Sequence, residues 1–298
     1  MILKVRATDQ LKGTLVLPAS KSYSIRAFIV ASRGGHSTII DPSNCDDALV
    51  AKQVAEALGA KVRLIKRNRF DLRASESSRI TNNNNINVKE SGTVLRFLLP
   101  LLSSRPDRAV VKGEGTLRGR PNFHLLQALR KMGVDIRGQG SSETVPIAKN
   151  HGRLSGGKIT IDGSLSSQFI SAFLIACPTL PQKSTLAIIG KKLVSSTYIT
   201  MTQQILKKSG IKIIQRNPRL FFIQGNQKFK GLKNFVVPSD FGLAAFFMVA
   251  AALVKADVIL KGHLKGDMVQ SDAKIFIFLR QMRLKIHLLM GIAILLLT

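Results

Sequence analysis

Residues 17–32 read LPASKSYSIRAFIVAS. Ser20, Lys21, Ser22, Ser24 and Arg26 crowd together after Pro18, and the chain then turns apolar. A helix starting near Ser20 puts Ser22 and Arg26 four residues apart on one face. Lys21 then sits at the end where backbone N–H groups have no helical partner. Hydroxyls, cations and free amides in one place suit a phosphate or a carboxylate. ESGTVLR (Glu90 to Arg96) is a second helix start of this kind, and Gly92 lets a ligand approach the backbone closely. GEGTLRGRP (Gly113 to Pro121) has the spacing G-x-G-x-x-x-G, one residue too long for a dinucleotide fingerprint. Its Arg120, fixed before Pro121, offers instead a guanidinium suited to bidentate contact with an oxyanion. GSLSSQF supplies Ser166, Ser167 and Gln168, neutral donors for sugar-like hydroxyls and phosphate oxygens. LVSSTYIT adds Ser195 and Tyr198.

Repeated elements carry these groups. An amphipathic helix, a glycine and a strand start recur as VAEALGAKV, LQALRKMGVDI and QQILKKSGIKI. Gly59, Gly133 and Gly210 lie 74 and 77 residues apart, and each suits a left-handed cap between helix and strand. Val50, Val54 and Leu58 form one inward stripe. A Ser-rich start of an apolar helix precedes each block, counted from Ser22, Ser91, Ser166 and Ser239 at steps of 69, 75 and 73 residues. Each unit reads strand–helix–strand–helix–strand–strand, so the fold class is α/β. Serine caps helices well by itself. Helix starts in register also bring positive dipole ends toward one anion. The fourth unit is expected to decay, with Arg283 where the cap glycine belongs and an off-pattern tail, HLLMGIAILLLT. TNNNNIN (Thr81 to Asn87) reads as a mobile loop.

Composition sets bounds. The chain has 298 residues, 45% of them hydrophobic, enough for two domains and a real core. Lys and Arg number 45 against 17 Asp and Glu, a net charge of +28. That balance points to nucleic acid or to small acidic substrates. The cations are dispersed, with two tyrosines and no tryptophan to stack on bases, which disfavours nucleic acid. Cys45 and Cys177 read as reduced, buried thiols of a cytoplasmic protein. The five histidines lack ligand spacing, so no metal or other cofactor is expected. The N-terminal stretch alternates as a strand pair and is not a signal peptide. The apolar tail is 12 residues, short of the about 20 needed to span a bilayer.

The motif set resembles the 5-enolpyruvylshikimate-3-phosphate synthases, the 3-phosphoshikimate 1-carboxyvinyltransferases. LPASKSYSIRAFIVAS is similar to their L-P-G-S-K-S-x-S-x-R-A signature, with Ala19 for Gly. SGTVLR, GRP, DGSLSSQF and LVSSTYITMT resemble further family motifs in the same order, with Thr200 where aspartate is common. VPSDFGLAAFFMVAAAL resembles the return helix, with Gly242 and Leu243 for a Ser-Ser pair. The resemblance implies an enolpyruvyl transferase fold of repeated βαβαββ units. Residues 19–235 would form a complete three-unit domain binding shikimate 3-phosphate, and 1–18 with 236–298 part of a second domain with one unit of three.

By resemblance, Lys21, Ser22, Arg26, Ser166, Ser167, Gln168, Ser195 and Tyr198 would meet shikimate 3-phosphate. Lys21, Gly92, Arg120 and Gln168 would meet phosphoenolpyruvate. The family's acid/base aspartate and its lysine–glutamate pair lie in units beyond this sequence, so no general acid or base is named. The expectation is a truncated member of reduced or no activity, a monomer acting on small anionic substrates, with no cofactor and no membrane. A non-catalytic substrate-binding fragment and a basic nucleic-acid-binding protein are the alternatives.

Overall fold

The computed structural model describes residues 7–74, 84–263, 268–282, 286–289 and 292–297. Its elements follow one order four times. The first unit is β1 (Gln10–Val16), α1 (Lys21–Ala31), β2 (Gly35–Ile40), α2 (Asp46–Ala57), β3 (Lys61–Lys66) and β4 (Arg69–Ala74). The second is β5 (Asn85–Asn87), α3 (Gly92–Ser103), β6 (Ala109–Lys112), α4 (Phe123–Lys131), β7 (Asp135–Gln139) and β8 (Thr144–His151). The third is β9 (Gly157–Asp162), α5 (Ser167–Ala176), β10 (Ser184–Ile189), α6 (Ser196–Lys208), β11 (Ile213–Asn217) and β12 (Leu220–Ile223). The fourth is β13 (Phe235–Val236), α7 (Phe241–Leu253), β14 (Lys255–Lys261), α8 (Ile275–Gln281), β15 (Ile286–Leu289) and β16 (Ile292–Leu297).

Each unit yields a four-stranded sheet, ordered β5-β6-β8-β7 in the second and β9-β10-β12-β11 in the third. The first and fourth units exchange their leading strands, giving β13-β2-β4-β3 and β1-β14-β16-β15. β1 runs parallel to β14 from Gln10 opposite Lys255 to Val16 opposite Lys261. The chain therefore divides into two compact units, Lys21–Phe235 and the pair Met1–Ser20 with Val236–Thr298.

Local chemistry accounts for the helices. Gly59, Gly133 and Gly210 take φ of 95°, 85° and 88°, the left-handed caps that the sequence predicts. Val50, Val54 and Leu58 are buried as one stripe. In Lys21–Phe235 the leading helices are buried almost all round, α3 at all of its described positions except Thr93. α1 and α5 bury their residues from Tyr23 to Ala31 and from Phe169 to Ala176. A helix apolar on every side needs partners on every side.

Five sequence readings need correction. Ser22 lies inside α1, whose first residue is Lys21, so the helix starts align from Ser20, not Ser22. In the fourth unit the capping oxygen belongs to Asp240, which accepts from Leu243 N, while Ser239 Oγ accepts from His263 N. Asn85–Asn87 is a strand paired in parallel with Val110–Lys112, because β-pairing there outweighs the turn propensity of asparagine; Thr81–Asn83 lie outside the described residues. The tail does not leave the pattern. Ile286–Leu289 and Ile292–Leu297 pair as an antiparallel hairpin, and the latter strand pairs with β14. Met1–Arg6, Arg283 and Gly291 lie outside the described residues. Cys177 is buried, but Cys45 is only half-buried.

The unit containing the chain's first residues centres on Leu17, Ala244, Met248, Ala251, Val258, Leu260 and Leu279. Here α7 buries only Phe241, Ala244, Met248 and Ala251, and leaves Phe246 75% and Leu253 77% exposed. Exposed apolar surface of this kind favours association. The double variant Phe246→Glu, Leu253→Lys is expected to elute as a single monodisperse species where the parent chain self-associates. Its unfolding free energy should stay within about 0.5 kcal/mol of the parent, as for other exposed positions.

Candidate functional site

The residues that could hold an anion lie at the starts of α1, α3, α5 and α6. Lys21 opens α1, and its exposed Nζ lies 3.3 Å from Asp47 Oδ2 in the first turn of α2. Of the serines near it, Ser24 is buried, and its Oγ accepts from Ser43 N, which pins the loop before α2. Ser22 stays half-buried at the helix start, and its carbonyl accepts from Arg26 Nη1 at 3.0 Å.

Arg26 is buried at 1% exposure. Its Nε donates to Thr202 Oγ1 at 2.8 Å and its Nη2 to the Tyr198 carbonyl at 3.3 Å. The guanidinium carbon lies 5.2 Å from the Phe97 ring centre and 5.6 Å from that of Tyr198. Burial pushes its pKa down to about 10, so it remains charged at neutral pH. These partners use three of the five guanidinium N–H groups. Ser195, just before α6, holds a left-handed backbone at φ 52° with its side chain exposed and making no cap bond. Such a conformation in a non-glycine residue costs energy and persists only where the surroundings enforce it.

At α3, Ser91 caps the helix by accepting from Val94 N, and Gly92 follows as its first residue. A Cβ at Gly92 would lie 3.1 Å from Arg120 Nη1, so the glycine makes room for the guanidinium. At α5, Ser166 is the cap and accepts from Gln168 N at 3.2 Å, while Ser167 is buried as the first helical residue. The Gln168 amide joins two helices. Its Oε1 accepts from Arg96 Nη1 at 2.6 Å, and its Nε2 donates to Thr93 Oγ1 at 2.9 Å. Arg96 also donates to Asn122 Oδ1 and to the Pro121 carbonyl, and it lies over the Phe169 ring at 5.1 Å. Burial pushes Arg96 down to about 10, with Arg120 adding repulsion.

The geometry gathers two groups of sequence-predicted residues. Ser22, Arg26 and Tyr198 meet at the junction of α1 and α6, with Lys21 turned to Asp47 of α2 and Ser195 exposed before α6, while Gly92, Arg120, Ser166, Ser167 and Gln168 gather at the starts of α3 and α5. Arg26 over Phe97 joins the first group to α3. Among the described residues no cluster of histidine, cysteine and carboxylates has metal-site geometry. No described helix is long and apolar enough to cross a membrane.

Residues 5–289 match the EPSP synthase family, 3-phosphoshikimate 1-carboxyvinyltransferase. The chain belongs to that family. It is 36% identical over 270 residues to the 3-phosphoshikimate 1-carboxyvinyltransferase of Methanosarcina mazei, covering 89% of this chain and 62% of that protein. The counterpart from Buchnera aphidicola subsp. Cinara cedri is 31% identical over 289 residues, covering 96% and 66%. The EPSP synthase structure from Acinetobacter baumannii superimposes with a TM-score of 0.76 at 24% identity, over 96% of this chain and 63% of that one, which shows the shared fold. The chain thus spans just under two thirds of the length of the EPSP synthases it matches.

Sequence reasoning missed Arg96, Thr93, Thr202 and Asp47. Arg96 had a signal: it is the lone cation of a largely apolar helix, placed in its second turn. Thr202 and Asp47 had none, because their partners come from distant elements. Gln168→Ala is expected to lower the unfolding free energy by about 1–3 kcal/mol, since it strands a buried Arg96 N–H. Gln168→Glu keeps an acceptor there and should recover most of that loss, read from urea midpoints.

Proposed function

We propose that this chain takes part in enolpyruvyl transfer from phosphoenolpyruvate to the 5-hydroxyl of shikimate 3-phosphate. Lys21, Ser22, Arg26, Ser166, Ser167, Gln168, Ser195 and Tyr198 would hold shikimate 3-phosphate, and Lys21, Gly92, Arg120 and Gln168 phosphoenolpyruvate. The observation that carries this reading is the amide of Gln168. It is fixed by Arg96 and Thr93 between the start of α5, with its serines, and the start of α3, beside Arg120. One neutral donor is thereby held beside two helix N-termini in a chain of this family.

In the proposed reaction the hydroxyl oxygen bonds to the enol carbon of phosphoenolpyruvate while its methylene carbon takes a proton. The hydroxyl proton is lost. The resulting tetrahedral intermediate then breaks its bond to the phosphate oxygen and returns a proton from the methyl carbon, restoring the double bond. Lys21 and Arg120 would offset the charge of phosphate and carboxylate as two anions are brought together. Serine hydroxyls and helix N–H groups add donors that need no reorganisation. These residues bind and orient, and none is assigned a proton transfer. The reading also puts the chain in the cytoplasm, and its two free cysteines fit a reducing compartment.

Titrating the chain with shikimate 3-phosphate while following thermal unfolding tests the reading. The parent is expected to gain several degrees in Tm, as a ligand that binds only the folded state must stabilise it. Lys21→Ala should need at least tenfold more ligand for the same shift. A parent chain whose melting temperature ignores millimolar shikimate 3-phosphate would rule the binding assignment out.

A further inference from the structure

Glu90 stands just before the Ser91 cap of α3, where a carboxylate ordinarily serves the N–H groups of its own helix. Its carboxylate turns elsewhere. Oε2 accepts from both the backbone N and the Oγ1 of Thr116, each at 3.0 Å, in the short 3-10 turn Gly115–Gly119. Thr116 Oγ1 in turn accepts from Arg120 Nη2 at 3.2 Å. Gly115 holds a left-handed φ of 50°, and a Cβ there would collide with the Glu90 carboxylate. Arg120 Nη1 lies against Gly92 at the α3 start. Carboxylate, hydroxyl and guanidinium thus form a chain ending at the start of α3.

We propose that Glu90 is a positioning residue that tunes anion affinity at Arg120. Through Thr116 it holds the guanidinium over the start of α3, and its own negative charge limits how tightly an anion binds there. The proposal rests on the reading that Arg120 meets an anionic substrate. The Thr116 N–H and hydroxyl, with Arg120 nearby, keep the Glu90 carboxyl below its ordinary range, so its charge persists at neutral pH. A like charge a few ångströms from a bound anion weakens binding, though solvent moderates the effect at an exposed site. Positioning and repulsion have opposite signs, so two substitutions separate them. Glu90→Gln keeps an acceptor for Thr116 and removes the charge, whereas Glu90→Ala removes both.

The experiment measures dissociation constants for sulfate and for phosphoenolpyruvate, by calorimetry at pH 7, on the parent and both variants. Amide exchange at Thr116 reports the contact itself. Glu90→Gln is expected to bind both anions roughly three- to tenfold more tightly than the parent, with Thr116 still protected. Glu90→Ala should exchange Thr116 faster and bind more weakly than Glu90→Gln. Equal affinities in all three folded proteins would overturn the proposal and leave the substrate assignment standing. Unchanged Thr116 exchange in Glu90→Ala would overturn it too. A parent that binds neither anion would remove the Arg120 reading, and this inference with it.

Discussion

A guanidinium inside a bundle of apolar helices is tolerated only where oxygen atoms and aromatic faces replace the water it gives up. Arg26 and Arg96 meet that condition with groups from other repeats. Arg26, on α1, bonds Thr202 and the Tyr198 carbonyl of α6 and lies between Phe97 and Tyr198. Arg96, on α3, bonds Gln168 of α5 and the Pro121–Asn122 segment before α4. Neither charge can be satisfied by its own helix beyond the Ser22 carbonyl. Closing three repeats on one another is therefore a condition for burying these cations. The same closure brings the helix starts, with their unpaired N–H groups, into two neighbouring clusters. The stability of Lys21–Phe235 and the geometry of its candidate site rest on one set of contacts.

The repeat was legible because its signals are local. A left-handed cap needs glycine whatever surrounds it, and Gly59, Gly133 and Gly210 announced the period from sequence alone. The candidate site residues were legible for the same reason, as Lys21, Gly92, Ser166 and Gln168 sit within a turn of a helix start. What stayed hidden depends on pairs distant in sequence. Arg96 and Gln168 are 72 residues apart, and Arg26 and Thr202 are 176 apart. The fourth unit misled because its turn residues differ while its strand pairing survives. β16 is aligned by its register with β14, from Ala256 opposite Leu297 to Lys261 opposite Ile292.

The exchange of leading strands has an energetic consequence of its own. β1 belongs to the first repeat by order and to the fourth by pairing. Residues Gln10–Val16 thus depend for their backbone bonds on Lys255–Lys261, 245 residues later, a costly loop to close early in folding. The leading helix α7 carries no charge and is more apolar than α1, α3 or α5, yet within its own unit it packs on β14, on α8 and on the segment leading into α8. The same helix type is therefore fully buried where three repeats meet and half bare where one stands by itself.

The net charge of +28 is not explained by the candidate site, which uses few cations: Lys21 beside Asp47, the buried Arg26 and Arg96, and Arg120. A different constraint accounts for part of the excess. β3, β7 and β11 are the outer strands of their sheets, with open ladders that invite pairing with another chain. Each has a break in register, between Leu64 and Lys66, at Arg137 to Gln139, and between Gln215 and Asn217. Each also exposes cations there: Lys61, Arg63 and Lys66 on β3, Arg137 on β7, and Arg216 on β11. Leu64 at 63% and Ile214 at 68% exposure would make these edges adhesive without them. Bulge and charge together disfavour edge-to-edge pairing of a repeat protein with several open edges, so part of its basicity serves separation of chains, apart from the few cations of the candidate site.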